Sequence, residues 1–367
     1  MSKQELSAVP SAGRLEQGAK LPGAVSQALM LENRLRKRHK HLAKWAKRCG
    51  IGAYRLYDRD IPEIPLVIDY YRGRIGPDGP PAEALAGALY RRPYEKDPAE
   101  EDAWLAVMEG AMTAALGIPG SKIFLKERRR LRGRQEQYGK LDFPGGGFEL
   151  AVEEGGLRFL VNLSDYLDTG LFPDRRRLRA LIREDAAGKR VLNLFAYTCA
   201  FSVYAAAGGA ASVDSVDLSG GYLDWGRRNF ALNGISAGRA FRFIRADALR
   251  FLENAAGKRW DLIILDPPAF SNSKKMTGTL DTRRDHPGLI ARCLGLLAPG
   301  GRLWFSTGTG RFRLNREEIE RLRQGGPRKT GPGSLRIEEP GTKTIDEDFR
   351  GKKPPPCCLF YYGDTQS

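Results

Sequence analysis

Three carboxylates stand at the ends of strand-like runs in this chain. Asp217 follows Ser212 to Val216, Asp247 follows Phe241 to Ala246, and Asp266 follows Trp260 to Leu265. Short apolar and β-branched runs bounded by turn residues read as strands covered on both faces. Each carboxylate then falls at the C-terminal edge of a parallel sheet, where ligands of open α/β sheets bind. Pro267 and Pro268 cannot donate ladder hydrogen bonds, so they stop the pairing and leave the Asp266 carboxylate and the Pro267 carbonyl outward as acceptors. Phe270 is either a core residue or a stacking surface for a flat ligand. Asp217, roughly 20 residues beyond the turn after the first strand, is placed to accept both hydroxyls of a ribose. Asp247 is a candidate partner for the amino group of an adenine.

The elements that must position these groups follow from the pattern around them. Arg190 to Phe195 reads as the first strand, and Ala196-Tyr197-Thr198-Cys199 leads into an Ala-rich helix. A strand, a small-residue turn and a helix N-terminus bring backbone amides close to a ligand. The turn is not Gly-x-Gly-x-x-Gly, which disfavours a dinucleotide and with it an NAD-dependent oxidoreductase. From residue 164 onward strands and helices alternate, which predicts a doubly wound α/β sheet over 164–367. Upstream, Leu31, Leu35, Leu42 and Trp45 recur at near-helical spacing between Arg34, Arg36, Lys37, Arg38, Lys40, Lys44, Lys47 and Arg48, predicting a basic amphipathic helix over 27–48. Strands are expected over 54–57, 66–71, 122–126, 148–152 and 157–162, with a helix over 100–116 and a second basic run over 127–134. Together they predict a smaller α+β, RNA-binding domain over 27–163. Residues 1–26 lack apolar periodicity and are expected to form a disordered tail.

Lys and Arg number 60 against 44 Asp and Glu, a net charge of +16 that favours a polyanionic partner. Five cysteines without a Cys-x-x-Cys pair argue against a disulfide framework and for a reducing, cytoplasmic setting. Three histidines, His39, His41 and His286, show no metal-ligand spacing, so no metal is expected. The uncharged stretch from Val191 to Val213 is long enough to span a bilayer, but its polar residues and strand-like start argue against a membrane segment.

Turns of this kind in sheet order resemble the class I S-adenosylmethionine-dependent methyltransferases. Asp165 to Phe172, Val191 to Thr198 and Asp266 to Met276 are similar to one family in particular, as are Asn33 to Arg38, Tyr54 to Asp58 and Asp346 to Phe349. It is the 23S ribosomal RNA guanine-N7 methyltransferase, which in many bacteria forms the C-terminal half of a bifunctional large-subunit enzyme. The resemblance implies a Rossmann-like sheet, S-adenosylmethionine as cofactor, and 23S ribosomal RNA or the assembling large subunit as partner. It implies cofactor contacts at Asp168, Thr169, Gly170, Asn193, Phe195, Tyr197, Thr198, Asp217, Leu218, Asp247, Ala248 and Asp266. The target base is expected at Asp266, Pro267 and Phe270. Two departures stand out: Cys199 occupies a loop position that is usually Gly in that family, and the upstream N2-guanine half is missing, so a free-standing form is expected. Two other readings are a cytosine-C5 methyltransferase and a non-catalytic RNA-binding protein. The cytosine enzymes attack through a cysteine in a Ser-Cys-Ser-Gly stretch, where this chain has Thr307.

Overall fold

The computed structural model describes residues 23–90, 97–128, 147–255, 257–272, 278–325 and 334–363. Most of the expected tail, the basic run beyond Arg128 and the stretch Ser273 to Met276 lie outside the described residues. The chain divides into two compact units, which cross at more than one point: the second takes Gly155–Val161 and the chain from Gly170, the first reclaims Asn162–Thr169.

The first unit opens with helix α1 (Ala24–Arg48), which begins inside the segment expected to be tail. Leu31, Leu35 and Leu42 on one stripe are fully buried, so packing of that face, rather than local propensity, sustains the helix. Strands β1 (Ala53–Asp58), β2 (Leu66–Ile75) and β3 (Pro81–Tyr90), helix α2 (Pro98–Leu116) and strands β4 (Ile123–Arg128) and β5 (Glu149–Glu154) follow. The sheet runs β4-β3-β2-β5, with β1 on β2. Strand β3 is an element the sequence does not signal, because Pro-Ala-Glu-Ala-Leu-Ala-Gly-Ala carries little strand propensity. Its small residues answer to crowding instead: a Cβ on Gly87 would sit 2.6 Å from the Leu125 side chain of the neighbouring strand. Helix α2 is capped by Asp97, whose carboxylate accepts from the amides of Ala99 and Glu100.

In the second unit the chain continues through β6 (Leu157–Asn162), α3 (Arg176–Asp185), β7 (Arg190–Leu194), α4 (Ala200–Ala207), β8 (Ser212–Asp217) and α5 (Gly220–Leu232). Then come β9 (Phe241–Arg245), α6 (Ala248–Asn254), β10 (Trp260–Leu265), the short strands β11 (Phe270–Ser271) and β12 (Leu280–Asp281), and α7 (Thr282–Leu294). Strand β13 (Leu297–Ser306), α8 (Arg316–Gly325), β14 (Leu335–Glu338) and β15 (Cys357–Tyr362) complete it. The sheet order is β14-β15-β13-β10-β7-β8-β9, parallel from β13 to β9 with an antiparallel edge. It is the doubly wound α/β sheet that the alternation of elements implied. From β7 the chain steps to β8 on one side, while β10 returns on the other, so a topological switch point lies between β7 and β10. Asp346 and Asp348, in one of the family-like stretches, serve the fold: they meet the buried Arg176 guanidinium at 3.2 and 3.0 Å.

Candidate active site

Strand register sets the site. Leu265 pairs with Leu194, Leu194 with Val216, and Val216 with Ile244, so Asp266, Phe195, Asp217 and Arg245 form the next row, with strands about 4.8 Å apart. Asp266 and Asp217 therefore lie along one edge of the sheet, on either side of the β7 loop.

That loop is strained in an orderly way. Phe195, Tyr197 and Cys199 all have positive φ, at 57°, 51° and 61°, a conformation costing L-residues on the order of 1–3 kcal/mol each. Surrounding bonds enforce it. Ala196 N donates to Val216 O at 3.0 Å and Tyr197 N to Asp217 Oδ2 at 2.9 Å, while Cys199 N reaches back to Ala196 O at 2.7 Å. The Thr198 hydroxyl donates to Gly170 O at 2.6 Å, and Asn229 Nδ2 donates to Thr198 O at 2.9 Å. Gly170, at φ 97°, admits no side chain, since a Cβ would lie 2.3 Å from the Trp225 ring. Cys199 is accommodated by Gly226, where a Cβ would stand 2.4 Å from its sulfur. Burial pushes the Cys199 thiol well above its ordinary range, as it does those of Cys293 and Cys357, and pushes Cys358 up to about 12.

Asp217 accepts from the amides of Tyr197 at Oδ2 and, at 2.8 Å, Ser219 at Oδ1. Its pKa is raised by burial, in part offset by the amides of Ser219, Tyr197 and Leu218. Asp247 caps α6 through Leu249 N at 2.8 Å, with Ala248 as the first helical residue, and its second oxygen is buried without a hydrogen-bond partner. That orphaned acceptor is the feature an adenine amino group would satisfy. Asn193 is turned inward: Nδ2 donates to Ser202 of α4 at 2.8 Å, so it braces helix against sheet. Asp168 and Thr169 belong to the first unit, where the Thr169 and Tyr71 hydroxyls meet at 2.9 Å.

Asp266 is not a lone acceptor. Ser306 Oγ donates to its Oδ1 at 2.6 Å, and the Nε of Arg175 lies 3.3 and 3.4 Å from its two oxygens. Arg175 also donates through Nη1 to Asp174 at 2.8 Å. Burial opposes its charge, but Asp266 and Asp174 outweigh burial and hold the guanidinium protonated. Neither Arg175 nor Ser306 stands out in the sequence, since the pairing spans 91 residues in one case and 40 in the other. Phe270 is 44% exposed, which excludes the core reading, and Phe172 is 40% exposed. The Phe172 ring also lies against Tyr197, centroids 5.4 Å apart, and Tyr197 against Tyr222 at 4.6 Å. Thr307 is fully buried, its hydroxyl engaged with that of Thr309 at 2.8 Å.

A parallel sheet of this order, edged by carboxylates at its switch point, defines the class: the chain belongs to the S-adenosylmethionine-dependent methyltransferase family, whose model matches residues 72–309. Such enzymes take their methyl group from S-adenosylmethionine. Among relatives, the chain is 46% identical over 323 residues to Ribosomal RNA large subunit methyltransferase K of Neisseria meningitidis, covering 88% of this chain and 84% of that protein. It is 47% identical to Ribosomal RNA large subunit methyltransferase K/L of Hahella chejuensis, over 82% of this chain but only 40% of that longer protein. Among solved structures, a Streptococcus mutans protein described as a SAM-dependent methyltransferase shares the fold, with TM-score 0.66 at 22% identity over 91% of this chain and 81% of the other. An Agrobacterium tumefaciens SAM-dependent methyltransferase has TM-score 0.52 at 21% identity, over 81% of this chain and 87% of that one. No helix among the described residues is long and apolar enough to cross a membrane.

Proposed function

We propose that this protein methylates N7 of a guanine in 23S ribosomal RNA, in the cytoplasm. The naming of the Neisseria relative supports the RNA class. The observation that carries the choice of atom is at Thr307. Attack at cytosine C5 requires a thiolate that adds to C6. The corresponding position here holds a buried threonine, and the buried thiols are kept protonated.

When bound, S-adenosylmethionine supplies a methyl group already activated by its sulfonium. Asp217 would accept the ribose hydroxyls, with Leu218 alongside, and Asp247 Oδ2 would accept the adenine amino group beside Ala248. The loop Phe195 to Thr198, and Gly170, shape the wall between them. Asp168 and Thr169 remain proposed contacts on the family resemblance alone. Guanine N7 has an in-plane lone pair and no proton to lose, so Asp266 serves as an acceptor for the base rather than as a general base. The work is alignment, with reacting atoms at roughly 3 to 3.5 Å. Phe270 stacks on the extruded base.

The test is product mapping. A 23S ribosomal RNA transcript treated with enzyme and S-adenosylmethionine should cleave at the modified guanine after borohydride and aniline, and digestion should release N7-methylguanosine. A 5-methylcytidine product would sink this reading.

A further inference from the structure

Resting on the guanine-N7 reading, we propose that Arg175 and Asp266 together read the Watson–Crick edge of the target guanine, with Arg175 Nη2 donating to O6. The guanidinium has spent Nε on Asp266 and Nη1 on Asp174, and Nη2 makes no hydrogen bond to any other described residue. Nε and Nη2 direct their N–H bonds to the same side of a rigid fork, so the unspent donor stands beside the Asp266 carboxylate. Gly308 flanks it, where even an added Cβ would stay 3.8 Å from Nη2. Asp266 is oriented by Ser306 at Oδ1, and its Oδ2 retains an open lone pair.

A donor next to an acceptor is the complement of guanine, whose edge runs O6 acceptor, N1–H donor, N2–H donor. Adenine offers a donor and then an acceptor, the reverse at both positions, and cytosine offers a donor followed by acceptors. Gripping guanine by this edge leaves the opposite side of the ring, with N7, free to face the methyl group. The same pair thus separates guanine from adenine and cytosine and aims it; uracil shares the acceptor-then-donor edge but has no N7 to present. Arg175 is a specificity-determining residue, and its two carboxylate partners supply the fixed geometry that a surface arginine lacks.

The test compares 23S ribosomal RNA transcripts made with guanosine or with 6-thioguanosine, which keeps N1–H, N2–H and N7 but has a poor acceptor at position 6. The wild-type enzyme should favour the guanosine transcript by about tenfold or more in kcat/KM, the scale of one good base-edge contact. Arg175→Met should be about tenfold slower on guanosine and should treat both transcripts alike. Arg175→Lys, which keeps a charge between the two carboxylates, should bind S-adenosylmethionine within about twofold of wild type while losing most of the preference. Undiminished preference in the lysine variant would overturn the proposal, as would a tenfold loss of cofactor affinity with the preference intact. Wild-type product is identified in the same reactions. If it is not N7-methylguanosine, the functional reading falls and this inference with it; if it is, and Arg175→Lys still discriminates, the inference alone is wrong.

Discussion

Residues 199 and 226 share one space. Cys199 stands at φ 61°, where glycine would be relaxed, and its sulfur occupies the space a Cβ on Gly226 would need. Gly226→Ala should therefore destabilise the protein by on the order of 1–3 kcal/mol through overpacking. In Cys199→Gly the same change should cost little, since the space is vacated. Thermal melts of the four members of this cycle measure the coupling; purely additive effects would show that the two positions do not share that space. Cys199→Gly alone should keep activity. Asp217 makes a pH prediction. Its pKa is raised, so its carboxylate is lost as pH falls through that raised value, earlier than in an ordinary aspartate. Its contribution to folding stability runs the other way: present in full below the unfolded pKa, it fades as pH rises through the folded value. Titrating S-adenosylmethionine binding downward from neutral pH should show wild-type affinity weakening at a higher pH than an ordinary aspartate would give. Asp217→Asn should bind weakly with a flat profile, whereas Asp266→Ala should leave affinity near wild type and lower turnover. A flat wild-type profile would remove the ribose role from the Asp217 carboxylate.

At the level of elements, α1 separates its arginines from its lysines. Arg34 pairs with Asp60 at 2.7 Å, Arg36 pairs with Glu32 at 2.6 Å and donates to Ala114 O at 3.0 Å, and Arg38 reaches Leu56 O at 3.5 Å. Lys37, Lys40, Lys44 and Lys47 are exposed, recur every three or four residues, and form no ion pair among the described residues. On the proposed RNA-binding role, the lysine stripe is the surface of this helix offered to a polyanion. Replacing the four lysines with glutamine should flatten the salt dependence of RNA binding by roughly 0.7 to 0.9 in slope for each phosphate no longer neutralised, with cofactor affinity unchanged. Arg36→Ala should instead lower the melting temperature and leave the slope alone. If the lysine variant keeps the wild-type slope, the stripe is a solvated face. From the sequence alone the basic residues of 34–48 look equivalent; only the docking of β1, α2 and the loop at Asp60 tells them apart.

For the molecule as a whole, a net charge of +16 and a set of thiols that is mostly buried bear on the proposed RNA chemistry. RNA containing 5-fluorocytidine should form no covalent adduct with this protein, because addition to a pyrimidine needs a thiolate held at the base, and the buried cysteines, Cys199 of the β7 loop among them, have raised pKa values. A denaturation-resistant adduct seen by mass spectrometry would contradict both the protonated state of those thiols and the choice of guanine.

Sequence by itself determined the doubly wound sheet, since apolar runs with turns at regular intervals have few other ways to bury both faces. It also indicated the places of Asp217, Asp247 and Asp266, because each follows a strand-like run directly or by one turn. The limits were local in the same sense. Ala-rich β3 was invisible because residues such as Gly87 are set by a neighbour's side chain, and the bond from Asn193 to Ser202 is one that only packing creates. What only the tertiary structure decided is the company each group keeps. Arg175 and Ser306 become partners of Asp266 because β10 and β13 lie side by side and the segment before α3 passes their ends. Hydrogen bonds between residues 91 positions apart leave no trace in spacing or periodicity; they exist only once the sheet has closed the distance.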